Sequence, residues 1–352
     1  MRGNFSDFSK RTSVTVFFLT AVNVYGAPLY VSSDFNHEIL RYDPANGQFM
    51  DTFIPAASGG LDQPHDILDR GTDILVASFG TDSILQYDRD AGTFLGTFIN
   101  SASGLSQPVY MVLHADGHLY VASQGSDEIL RYASDGTFID VFVTAGSGGL
   151  DGPSGFAFHS DGRLYVAGRY SANVLAYDAD TGAFDEVIAD STDGLGFGNT
   201  FGLNFGDNGD LYFASNGQVF RYDLDTDAIV ATFPFGFPIG IEPGRDGDIY
   251  VASNNNLFVI DTGDDSVSGP FLSGGVINLL NFFHFSGSAC DACPGDMNLN
   301  GTIDLGDIDT FVTRLTTGEG LSCADVNQDG AENGRDVGPF IDRLIAGDCG
   351  SP

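Results

Sequence analysis

The stretch PSGFAFHSDGRLYVAGRYSANVLAYDADTGAF, residues 153 to 184, decides the fold. It holds three short runs of alternating apolar residues, Phe156-Ala157-Phe158, Leu164-Tyr165-Val166 and Val174-Leu175-Ala176-Tyr177. They are separated by turn-forming Asp161-Gly162 and Thr181-Gly182, and Phe184 opens a fourth run. Period-2 alternation broken by Asp-Gly marks strands joined as hairpins rather than helices.

The same unit recurs along the chain. The core of its second run returns as Leu29-Tyr30-Val31, Ile74-Leu75-Val76, Leu119-Tyr120-Val121, Leu164-Tyr165-Val166, Leu211-Tyr212-Phe213 and Ile249-Tyr250-Val251, at offsets of 45, 45, 45, 47 and 38 residues. A second track follows as ILRYD, ILQYD, ILRYA, VLAYD, VFRYD and LFVID, and a third as GQFMDTF, GTFLGTF, GTFIDVF and GAFDEVI. Asp116-Gly117, Asp161-Gly162, Asn208-Gly209 and Asp246-Gly247 favour the tight primed turns of β-hairpins. Repeats of this length with four strands each describe the blades of a β-propeller. One twisted four-stranded sheet cannot bury both its faces, whereas sheets packed round an axis bury each other's. Six such units predict six blades.

Each unit begins with its inner strand, but only an export signal precedes Leu29. The missing strand is sought in INLLNFFHFSG, residues 277 to 287, which would join the first blade and close the ring. Closure ties the two ends together and removes exposed sheet edges.

The N-terminus carries Arg2, Lys10 and Arg11 ahead of the apolar run VTVFFLTAVNVYGA, with small residues at Gly26 and Ala27 for cleavage. A first β-strand is the alternative for this run, which is too short to cross a bilayer. The expected division is a signal peptide over 1–27, a propeller over 28–287 and a small module over 288–352, in a secreted or surface-attached bacterial protein. The formal charge of −34 disfavours nucleic acid and anionic membranes as partners.

The tail has its own duplication. Asp296, Asn298, Asn300, Thr302, Asp304 and Asp307 recur 29 residues later as Asp325, Asn327, Asp329, Ala331, Asn333 and Asp336, with Gly301 and Gly330 at the sixth position of each loop. Oxygen donors at this spacing suit Ca²⁺, with Thr302 and Ala331 contributing backbone carbonyls. Two calcium sites are expected, the second weaker. Ile308, Phe311, Val312 and Leu315 then fall on one helical face, and Phe311, Val312, Arg314 and Leu315 recur at the same 29-residue offset as Phe340, Ile341, Arg343 and Leu344. Without metal the grouped carboxylates repel, so calcium should drive folding of this segment. Cys290, Cys293, Cys323 and Cys349 all lie here. An oxidising compartment favours disulfides, in any of three pairings, and a four-thiolate zinc site is the alternative.

The pattern P-x-G-x-x-x-x-x-D-G-x-L-Y-V-A of residues 153 to 167 resembles NHL-type and streptogramin-lyase-like propellers. The duplicated loop-plus-helix tail resembles dockerin modules, which implies a calcium-dependent connector with a cohesin-like or cell-surface partner. It departs from that pattern at Glu332, where an apolar residue is usual, and its recognition positions Leu305-Gly306 and Gly334-Arg335 differ between copies. The resemblances imply an all-β six-bladed propeller with a small α-helical calcium module.

Function divides two ways. The first is recognition of an extracellular protein or glycan by the propeller, with attachment through the tail. The second is a hydrolase or lyase acting on polysaccharide or a related polymer. Aligning the repeats puts His65-Asp66, Val109-Tyr110, Ser154-Gly155, Phe201-Gly202 and Ile239-Gly240 at the channel mouth, with Asn278 near the sixth place. His65, Asp66 and Tyr110 are the catalytic candidates, because a His–carboxylate pair can do acid–base work. Asp66 and Asn278 also match two of the three ligand types of propeller lactonases, but no Glu falls at a matching inner-strand place. Three or more ionisable groups converging at the mouth would favour chemistry. A rim of Gly, Phe and Ile about one His would favour binding, and the aligned residues lean that way.

Overall fold

The computed structural model describes residues 28–191, 198–244, 247–272 and 280–285, together with Ile341. The signal segment, the calcium loops, the cysteines and Asn278 lie outside the described residues. The described chain forms six antiparallel four-stranded sheets. Five are built from consecutive strands. Their inner strands are Pro64–Asp69, Pro108–Leu113, Pro153–His159, Thr200–Phe205 and Pro238–Pro243, in blades 2 to 6.

Blade 1 is composite. Its inner strand is Leu280–Phe285, from the far end of the propeller sequence, followed by Leu29–Ser33, Glu38–Tyr42 and Phe49–Ile54. Leu29 pairs with Phe285 and Val31 with Phe283, so the ring closes by strand exchange as the sequence predicts. Each inner strand packs against its two neighbours round the axis.

The second strands, such as Leu119-Tyr120-Val121 and Leu164-Tyr165-Val166, are buried on both faces. This is why they read as near-continuous apolar runs, because a blade interior is covered by sheets on both sides. The outer strands are exposed over their first half, for example Phe94-Leu95. The third-strand tyrosines anchor the blades. Tyr87 and Tyr177 are fully buried, yet each hydroxyl donates to a backbone carbonyl, Ser58 at 2.8 Å and Ser147 at 2.7 Å. The phenylalanine of the third track meets that tyrosine edge-on, at 5.7 Å for Phe94 on Tyr87 and 5.9 Å for Phe184 on Tyr177. Such aromatic pairs add to burial, and a satisfied hydroxyl removes the penalty of burying it.

The hairpin turns differ from expectation. At Asp116-Gly117, Asp161-Gly162 and Asn208-Gly209 only the glycine has positive φ, at 80°, 84° and 79°. The turn is closed by Gly117 N–H donating to the His114 carbonyl, and Gly162 N–H to that of His159. This is a type I turn followed by a left-handed glycine. A primed two-residue turn would need the preceding Asp or Asn in the left-handed region as well.

Candidate functional site

Every inner strand from blade 2 to blade 6 starts with a register shift, placed just after Pro64, Pro108, Pro153, Thr200 and Pro238. The bulge aims successive residues at different levels of the central channel. His65, Val109, Ser154, Phe201 and Ile239 line a cavity of about 250 Å³ where the inner strands begin. Asp66, Tyr110, Asn204 and Glu242 line a second cavity of about 350 Å³ lower down the channel.

Between the two levels the blades play unequal parts. Blades 2 and 3 carry Asp66 and Tyr110, whereas blades 4, 5 and 6 carry Gly155, Gly202 and Gly240 at the aligned position. A Cβ on Gly155 would stand 2.7 Å from the Leu203 nitrogen, and one on Gly202 would stand 2.5 Å from the Ile239 carbonyl oxygen. Glycine here permits backbone-to-backbone packing of neighbouring blades.

The side chains that remain form one network. Tyr110 reaches across the axis, from blade 3 to blade 6, and its hydroxyl donates to Glu242 Oε1 at 2.9 Å. Asn204 Nδ2 donates to Glu242 Oε2 at 3.3 Å, and its own Oδ1 accepts from Phe205 N–H at 3.0 Å. Asp66 is only 3% exposed, and its two oxygens accept from Ile67 N–H at 2.8 Å and from Met111 N–H of the next blade at 2.7 Å. The Tyr110–Glu242 bond therefore bars the channel between the cavities.

Burial sets the protonation of this group. It pushes Asp66 up to about 8 against the two backbone N–H bonds, which pull the other way. Burial, followed by the Asp66 charge, holds Glu242 well above the usual carboxylate range. Tyr110 is likewise raised by burial and then by Glu242. Both carboxyls therefore favour the protonated form at neutral pH.

At the mouth the chemistry differs. His65 lies flat against Phe79, ring centroids 4.5 Å apart, and burial, then the charge of Arg169, drives it down to about 3. Arg169 leads off the loop after the second strand of blade 4. Its Nη1 donates to Gln124 Oε1 at 3.1 Å, its plane stands 5.0 Å from the Phe201 ring centre, and its Nε is buried without a hydrogen-bond partner. Among the described residues, Arg41, Arg70, Arg89, Arg131, Arg163 and Arg221 each pair with a carboxylate, and Arg169 has none within ion-pair distance.

The structure thus separates the predicted trio. His65 belongs to the mouth, while Asp66 and Tyr110 belong to the buried network, so no His–Asp dyad forms. No glutamate falls at the aligned mouth position, but one faces the channel elsewhere on an inner strand. It is Glu242, two residues beyond the glycine of blade 6, where alignment on the mouth position alone misses it. Arg169 was also missed, although a signal was present. It shares a column with Asp34, Phe79, Gln124, Asn216 and Asn254, at the same offsets as the strand cores. The preceding column is Ser33, Ser78, Ser123, Gly168, Ser215 and Ser253. Ser78, Ser123 and Ser215 clamp the backbone at Asp62, Ser106 and Gly198, both accepting and donating. In blade 4 Ser171 takes over that clamp at Asp151. The column beside this structural one differs from blade to blade.

Fold and channel together define a six-bladed β-propeller. Among solved structures, a chain of a nidogen/laminin complex matches at TM-score 0.58 and 16% identity, over 73% of this chain and 97% of that one. Virginiamycin B lyase from Staphylococcus aureus matches at TM-score 0.48 and 13% identity, over 69% and 83%. The extracellular domain of a putative one-component system from B. thetaiotaomicron matches at 0.49 and 16%, over 69% and 36%. At these identities the likeness concerns the fold. No protein-family profile and no curated protein matches the sequence.

Proposed function

We propose that the propeller is a recognition module that binds an extracellular ligand at the channel mouth, and that the tail is a calcium-dependent connector for a cohesin-like or cell-surface partner. The observation that carries this is the composition of the mouth. A preformed concave site is walled by Phe79, Phe201 and Phe237 and pointed by a guanidinium and two glutamine amides. Apolar walls with a few placed polar groups make a binding site. The mouth's imidazole, held neutral to about pH 3, is too weak a base for effective proton abstraction at neutral pH. The chain in the nidogen/laminin complex shows the same fold within a protein–protein assembly.

A glycan array and a protein pull-down with the full chain test this, each run with calcium and with chelator. Ligand capture blocked by Phe201→Ala supports mouth recognition, and unchanged capture refutes it. For the tail, adding calcium to chelated protein should raise the helical signal in far-ultraviolet circular dichroism. Asp307→Ala combined with Asp336→Ala should remove that rise. The same spectrum with and without calcium in the wild type would sink the connector.

One observation favours chemistry instead. Asp66, Tyr110 and Glu242 are three ionisable groups converging within the channel, and perturbed groups gather at catalytic sites. On this reading the protein is a hydrolase or lyase of extracellular polymers working from the lower cavity. Turnover of a polysaccharide panel, abolished by Glu242→Gln with the fold intact, would establish it.

A further inference from the structure

We propose that the mouth takes the carboxylate of an acidic sugar, a uronate unit of a glycan, with Arg169 as its anchor. This rests on the mouth being a recognition site and goes on to name the ligand's chemistry.

The charge on Arg169 is the starting point. In a chain with 14 basic and 48 acidic residues, a guanidinium without a carboxylate is conspicuous. One of its nitrogens is satisfied by Gln124, a neutral amide, and the Phe201 face covers one side. Guanidinium offers five N–H donors in a planar fork that matches carboxylate geometry. Its buried Nε makes no hydrogen bond within the protein, so the guanidinium is not fully satisfied internally.

The rest of the cavity suits a sugar better than a wholly apolar acid. Gln63, Gln124 and Ser154 bring amide and hydroxyl groups able to bond ring hydroxyls in either sense. Phe79 and Phe201 offer flat apolar faces for the C–H side of a pyranose ring. Asp34 lines the same cavity from blade 1, three blades round from Arg169 and therefore on the opposite wall. The mouth is polarised, with a cation on one side and a carboxylate on the other. A ligand with one anionic group and many hydroxyls fits this pattern, and a densely sulfated one would set charge against Asp34. A cavity of about 250 Å³ admits one sugar unit at a time, with exposed Phe35, Tyr170 and Phe237 beside it for the flanking units. The net charge of −34 repels polyanions at long range, so affinity has to come from the short-range contact with Arg169.

The test is calorimetric titration of the full chain with tri- to hexasaccharides of galacturonate, mannuronate and, as neutral controls, galactose and mannose. Binding of a uronate series with at least tenfold preference over its neutral counterpart is expected. Arg169→Gln should lower that affinity about 10- to 100-fold, the loss typical of a charge-assisted hydrogen-bonded pair. Arg163→Gln, which removes a surface cation already paired with Asp185 and Glu186, should leave it unchanged. Equal binding of neutral and acidic sugars, or binding insensitive to Arg169→Gln, overturns the uronate assignment while leaving a recognition site at the mouth. A peptide captured at the mouth with no uronate bound overturns it in the same way. No mouth-dependent binding of any probe overturns both the assignment and the recognition reading beneath it.

Discussion

Gly202→Ala is expected to destabilise the propeller by about 3 kcal/mol or more, a large effect for one methyl group. The added Cβ would meet the Ile239 carbonyl oxygen at 2.5 Å and the Ile241 nitrogen at 2.8 Å. Both are backbone atoms of the neighbouring inner strand, so no rotamer change relieves the clash. Blade 6 has to move outward by about an ångström, and in a closed ring that displacement passes to every interface because packed interiors deform little. The same strand carries Glu242 one residue past Ile241, so the shift also stretches its bond from Tyr110. Gly96→Ala is the control, since a Cβ there has nothing within 4 Å and no positive φ is involved. It should stay within about 0.5 kcal/mol of wild type. Denaturant unfolding followed by tyrosine emission reads both, as the chain has 13 Tyr and no Trp. Matching midpoints for the two variants would show that the blades do not approach as closely as described.

The fold was legible because a propeller repeats its physics six times. The Leu-Tyr-Val cores, the buried tyrosines and the turn glycines recur at near-constant offsets, since each blade must solve the same packing problem. Ring closure was legible too, as one blade was short of an inner strand and one apolar segment was left over. The site was only half legible, for the opposite reason. A channel has no repeat to follow, because each blade contributes a different side chain to a shared centre. Asp66 and Tyr110 were found because aligning the repeats placed them where blades 4 to 6 carry glycine. Glu242 and Asn204 sit at the position where blades 2, 3 and 4 carry Leu68, Val112 and Ala157. Only the bulge reveals that this position also faces the axis. The turn type was missed because Asp-Gly suits two kinds of hairpin, and loop length chose between them.

The channel network should make the protein less stable as pH rises through the neutral range, a trend that Glu242→Gln should make shallower. Asp66 and Glu242 have folded-state values above those of an unfolded chain. The native state therefore binds more protons than the unfolded state above about pH 4, and stability falls with pH wherever that holds. The contribution is fully present below the unfolded carboxylate range and is lost as pH climbs through the folded values, near 8 for Asp66. Each proton involved gives a slope of at most about 1.4 kcal/mol per pH unit, and water reaching the lower cavity reduces it. Carboxylates with lowered values act in the opposite sense. Arg41 holds Asp51 down, and bonds from His118 and Tyr120 help hold Asp116 down to about 2, so their stabilisation disappears only in acid. Between pH 6 and 9 those groups are constant and the channel pair is what titrates. Glu242→Gln stays neutral across this range and keeps an oxygen to accept from Tyr110, so only the Asp66 proton remains to titrate and the unfolding free energy should fall less steeply with pH than in the wild type. Unfolding measured at several pH values over that window decides the matter. Parallel slopes in wild type and Glu242→Gln would mean that Glu242 contributes no titrating proton to the native state over this window.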